Sequence, residues 1–179
     1  EQVRTGNQRQ IGSHYWQRAL QRRTDVDYVD AQLLAHAWYT RRVVDRLGID
    51  WTYQGKAVDT DRFFSAVISR QRPLFVTHRF HDSVLRRWPS FPWGTTIRIL
   101  GPDDRPPSPR QLFRQNERLL KSFAIQPRPA LPETSWGDFV LGDYARTWKS
   151  IAAALQQTHA PRATAAARRR IHLFDPPAA

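Results

Sequence analysis

LFVTHRFHDSVLRRWPSFPWGTTIRIL, residues 74–100, decides how the chain is read. The apolar run after Pro73 begins a buried strand, and TTIRIL after the Trp93-Gly94 turn makes a second. Upstream, Thr60 is placed to cap a helix through DRFFSAVISRQ, where Phe64, Val67, Ile68 and Gln71 keep helical spacing. Before it, AQLLAHAWYTRRVVDRL puts Leu34, Trp38 and Arg41 on one helical stripe that Gly48 ends. DVDYV alternates with period two and reads as a strand, DWTYQ as a short extended piece. Ser13 caps a further helix through HYWQRALQRR, and QVRT is a short strand ahead of it. Alternating strands and helices predict an α/β fold, a small three-layer sandwich around a mainly parallel sheet of three to four strands, with right-handed crossovers.

Downstream the character changes. GPDDRPPSPRQ is a proline-rich connection in which Ser108 and Pro109 supply a cap and a first-turn residue for a helix running to Phe123. A second proline-rich linker, IQPRPALPET, precedes Ser135 and Asp138, which stand at capping spacing. Trp136, Val140, Tyr144, Trp148, Ile151 and Leu155 then recur at steps of four and three, giving a helix one apolar face. The arrangement expected is an α/β core over 1–101, linkers and two packing C-terminal helices of the same domain over 102–158, and a loose basic tail over 159–179.

The 179 residues are 40% hydrophobic and 12% aromatic, enough for a domain with a real core. No run approaches a membrane span, and no basic-then-apolar leader opens the chain. The chain starts at Glu1 and contains no methionine, which leads us to expect a piece of something longer. Its net charge of +12 invites a nucleic-acid reading, because clustered cations release counterions from phosphates. The excess is spread along the chain, however, and only Arg168, Arg169 and Arg170 form a run. Anionic lipid headgroups would attract the same residues. The absence of cysteine rules out disulfides and thiolate metal sites.

His78 and His81 lie three apart with Asp82 beside them, the beginnings of a metal site. They follow a strand rather than lie on a helix, and no third ligand is specified, so neither a metal nor a cofactor is assigned. RTGNQRQIGS resembles a phosphate-binding turn but has neither the dinucleotide nor the nucleotide-triphosphate spacing. The pairs Asp25/Asp27 and Asp59/Asp61 fall at element boundaries, where caps and turns account for them. No Ser/His/Asp set can be assembled, and no catalytic residue is assigned. The aromatic groups HYW, AWY and WPSFPWG could stack on sugars or bases, though such groups more often serve a core.

The order of these pieces carries a resemblance. Gly6-Asn7 after a strand, Tyr15 and Gln17 on the next helix, Arg23, Asp25 and Val26, then Leu33, Leu34, Trp38 and Tyr39, then Arg72 to Val76, and finally Trp93 and Gly94 follow one another. This order over residues 3–158 resembles the soluble C-terminal region of the multi-spanning membrane glycosyltransferases related to protein O-mannosyltransferases, long carried as a domain of unknown function. Asn7 stands where that family usually has an acid. The resemblance implies an extramembranous accessory domain on the extracytoplasmic, periplasmic face of a bacterial inner membrane. Its partners would be the transmembrane portion of its own parent protein and a polyprenyl-phosphate sugar or lipid headgroups; it would lack a complete active site. The binding residues expected are Asn7, Tyr15, Gln17, Trp38, Tyr39, Arg79, His81, Arg87 and Trp93. Two alternatives stand beside it: a free-standing basic nucleic-acid-binding module, and a small metal-dependent hydrolase on His78, His81 and Asp82.

Overall fold

The computed structural model describes residues 25–51, 59–77, 86–123 and 136–174. They belong to two compact units, residues 1–71 and 72–179. Among the described residues there are five α-helices and three strands, and no helix is long and apolar enough to cross a membrane.

In the first unit, a single 3-10 turn at Leu33–Ala35 precedes α1, Ala37–Leu47. His36 separates them in an extended conformation, φ −108° and ψ 125°. That break shifts the helical phase, so the stripe expected from Leu34 through Trp38 to Arg41 does not form. Leu34 is buried, whereas Trp38 is exposed, and the inner face of α1 is Thr40, Val43 and Leu47. Gly48, at φ 63°, ends the helix as expected, with the Ile49 N–H reaching back to the Val44 carbonyl. The segment DVDYV is not a strand. Polar groups of this segment and of Asp30 just after it are held by α1: Arg46 pairs with Asp27 at 2.9 Å and donates to the Tyr28 carbonyl, and the Tyr39 hydroxyl accepts the Asp30 N–H at 2.7 Å. The second helix, α2, spans Thr60–Ser69; its cap is Asp59, whose carboxylate accepts the Arg62 N–H, and not Thr60. Phe63, Phe64 and Val67 are buried, with Phe63 edge-on to Trp51.

The second unit contains the sheet, and it overturns the mainly parallel arrangement expected. Strands β1 (Leu74–Thr77), β2 (Ser90–Trp93) and β3 (Thr96–Ile99) pair in the order β1-β3-β2, antiparallel throughout. The decisive feature is the two-residue link between Trp93 and Thr96, which are register partners. A parallel crossover needs a dozen residues or more, so this link can only make a hairpin. Gly94, at φ 57°, provides the positive φ that hairpin turns of this length require. Pro92 lies within β2 and cannot donate to a ladder; β2 is an edge strand, where that is tolerated.

Helix α3, Pro109–Lys121, starts with a complete capping box: the Ser108 side chain accepts from Gln111, and the Gln111 side chain accepts from the Ser108 N–H. Helix α4 is Trp136–Gln157, and its Tyr144, Trp148, Ile151 and Leu155 are buried as their spacing predicts. His159, at φ 53°, reverses the chain, and the Ala160 N–H returns to the Leu155 carbonyl. The tail expected to be loose is instead helix α5, Pro161–Ile171, with Ala167 fully buried. Its small residues let it lie close to α4, so packing rather than large apolar side chains orders it. Phe91, Leu100, Leu112, Leu120, Trp148, Ile151, Leu155 and Ala167 form one core between β2 and the three helices.

Candidate functional site

Two of the expected binding residues stand together at the start of α1. Trp38 is 61% exposed, more than any other large hydrophobic residue among those described. It can be so because His36 and Trp38 precede the first buried helical position, Thr40. The His36 ring stacks beside it, centroids 6.4 Å apart and planes 25° from parallel, and Tyr39 meets it edge-on at 5.6 Å. Tyr39 is fixed by the Asp30 N–H, while Thr40 donates to the Leu34 carbonyl at 2.7 Å. A free indole face therefore rests on an anchored frame. Such a face offers flat apolar area and one N–H donor, which suits the C–H face of a sugar ring.

Trp93 has a different setting. Phe75, Arg98 and Phe91 form one cross-strand rung, and Trp93 and Thr96 lie on the same sheet face two pairs further along. The Trp93 centroid is 6.0 Å from both Phe75 and Phe91, and the Arg98 guanidinium lies 5.8 Å from it and 6.0 Å from Phe91. Trp93 is half-buried and packs against the core, so its ring surface is largely used internally. The Arg98 Nε is buried without a hydrogen-bond acceptor and has these rings as its electrostatic environment. Arg87 is exposed in the turn before β2. Asn7, Tyr15, Gln17, Arg79 and His81 lie outside the described residues, as do His78 and Asp82.

Two features escaped the sequence reading. Asn116 is fully buried; its amide donates to the carbonyls of Pro92 at 3.0 Å and Leu112 at 2.9 Å and accepts the Gly94 N–H at 2.7 Å. It clamps the hairpin to α3, and a lone Asn in a helical pattern gives no sign of a partner more than twenty residues away. The other is a stripe of exposed arginines, Arg110, Arg114 and Arg118, along α3. Its signal in the sequence is the period of four in RQLFRQNER.

Burial pushes the Tyr144 phenol above its ordinary range, as suits a core residue rather than an acid-base group. Among the described residues no group of three or more His, Asp or Glu is placed to hold a metal ion. No family model, no curated protein and no solved structure matches this chain.

Proposed function

We propose that this chain is the extramembranous accessory domain of a membrane-embedded glycosyltransferase that uses a polyprenyl-phosphate sugar donor, and that it positions the acceptor. The observation that carries the reading is the exposed Trp38 face beside His36, held from behind by Tyr39. The order of motifs from Gly6 to Gly94 supports it independently. In this reading Trp38 stacks on a sugar ring, and the transfer chemistry belongs to the transmembrane portion of the parent protein.

Two measurements test it. An antibody against the chain is expected to detect, in its native cell, a polypeptide well above 20.9 kDa that stays with membranes through carbonate extraction. A carbonate-soluble band at that mass would overturn the reading. In the membrane-bound parent, Trp38→Ala should raise the acceptor KM about fivefold and leave kcat near its starting value, because ring stacking contributes on the order of 1 kcal/mol. An unchanged KM would remove Trp38 from the proposal.

A further inference from the structure

Helices α3 and α5 carry charge in a way their own stability does not call for. Arg110, Arg114 and Arg118 recur once per turn on the exposed side of α3, opposite buried Leu112, Asn116 and Leu120. Like charges four residues apart repel, so this spacing weakens the helix that bears it. Helix α5 contains Arg162, Arg168, Arg169 and Arg170 and no acid. The single acid on either helix, Glu117, is already engaged by Arg170 across the seam between them and by Lys121 at 3.5 Å. Arg168 is tied to Gln156 of α4, while Arg162 and Arg169, seven apart, are both exposed.

The C-terminal ends of the two helices meet. Tyr144 touches the ring of Phe123, just past α3, and that of Phe174, just past α5, at centroid distances of 6.2 Å and 5.7 Å. At this same end Phe123 is 50% exposed and Leu173 38% exposed. Both are set by backbone hydrogen bonds to the last helical turns, Phe123 to the Leu120 carbonyl and Leu173 to the Arg170 carbonyl. Two partly exposed apolar side chains, one of them also packed on Tyr144, thus lie at the end of the layer that carries Arg118, Lys121 and Arg169.

We propose that this end of the helical layer docks on an anionic lipid surface, with Phe123 and Leu173 entering the headgroup layer and the surrounding arginines and Lys121 meeting lipid phosphates. Basic residues around projecting apolar ones are what interfacial binding requires: long-range attraction to the anionic leaflet and short-range burial of hydrocarbon. Nucleic acid would satisfy the charge and could stack on Phe123, but Leu173 offers it no stacking surface. The sugar-transferase reading also implies lipid headgroups as a partner, but this inference assigns them to a surface distinct from Trp38 and is argued from that surface alone.

Flotation of the 179-residue chain with vesicles of phosphatidylcholine, alone or with one third phosphatidylglycerol, tests the proposal. Binding is expected to the phosphatidylglycerol vesicles only. Arg118→Glu, which reverses one charge, should weaken it about thirtyfold, given the contribution of each basic residue near such a surface. The double variant Phe123→Ser/Leu173→Ser should weaken it about tenfold, from the hydrocarbon withheld. Urea denaturation of both variants checks that they remain folded; Arg118 is exposed, and its replacement gains Arg114 and Lys121 as opposite charges. Equal partition to both vesicle types would overturn the proposal, as would unchanged binding by the folded serine variant. So would duplex DNA that binds as tightly as the phosphatidylglycerol vesicles do. Failure here would leave the Trp38 effect on acceptor KM untouched, and loss of that effect would leave vesicle binding standing.

Discussion

At the scale of the residue, Asn116 holds more of the second unit together than any charged group. Its three hydrogen bonds satisfy the Gly94 N–H and the Pro92 carbonyl at the point where the hairpin meets α3. Asn116→Leu keeps the branched shape but removes all three hydrogen bonds and takes the donor away from the buried Pro92 carbonyl, a loss of about 1–3 kcal/mol. Urea denaturation should show it as a lower midpoint. Asn116→Asp makes the mechanism visible through pH. Its carboxylate could still accept from Gly94 but would face the Pro92 and Leu112 carbonyls, so the fold would favour the protonated acid and raise its pKa above about 4. A raised folded pKa means that stability is fully present below the unfolded value and lost as pH rises through the folded one. Asn116→Asp should therefore approach the parent chain near the acid end and fall furthest behind it at neutral pH, whereas Asn116→Leu should show a deficit independent of this carboxyl titration. The clamp was not legible in the sequence because its partners are backbone groups in a distant turn. Trp38 and Tyr39 were legible as an aromatic pair, but their division of labour depends on the break at His36, which moves Trp38 off the inner face.

At the scale of the element, what could be read depended on whether large side chains marked the buried face. Ser108-Pro109 and the series from Tyr144 to Leu155 announce α3 and α4, and both form where expected. Helix α5 hides because its buried positions are Thr164 and Ala167, which carry little hydropathic signal among four arginines. Strand β2 hides because Pro89 and Pro92 make SFPW look like a turn, and without β2 the remaining alternation of strands and helices points to a parallel sheet. DVDYV shows the opposite error, since its alternation is real but its polar groups are held by side chains of a helix. The hairpin itself offers the sharpest element-level test. Gly94→Ala would place a Cβ at φ 57° and 2.6 Å from the Leu119 Cδ2. The left-handed conformation costs an alanine about 1–2 kcal/mol, and Leu119 can yield by rotating its flexible end, so a destabilisation of that order is expected in urea. A neutral Gly94→Ala would mean that the turn relaxes to another geometry and that Asn116 does not fix it.

At the scale of the whole molecule, two electrostatic effects oppose one another. Ion pairs such as Arg46 with Asp27 and Arg170 with Glu117 favour the fold, but their side chains are about a quarter to two-fifths exposed. Pairs in such settings contribute about 0–1 kcal/mol each and weaken with salt. Against them stands a net charge of +12, which includes the uncompensated Arg110, Arg114 and Arg118 stripe. Repulsion of this kind destabilises a compact state and is screened once the Debye length falls to about 8 Å near 0.15 M salt. With basic residues outnumbering acidic ones by twelve, long-range repulsion is expected to be the larger of the two effects. Sodium chloride should consequently raise the melting temperature. If screening recovers about 1 kcal/mol, the rise is about 2–4 °C for a chain of this size. Sodium chloride is the right choice because sulfate would also strengthen apolar burial and confuse the cause. A fall in melting temperature over the same range would mean that the close pairs outweigh the repulsion. In that event the arginine stripe on α3 would have to be compensated, and the surplus positive charge that the lipid-docking surface relies on would not be free to act.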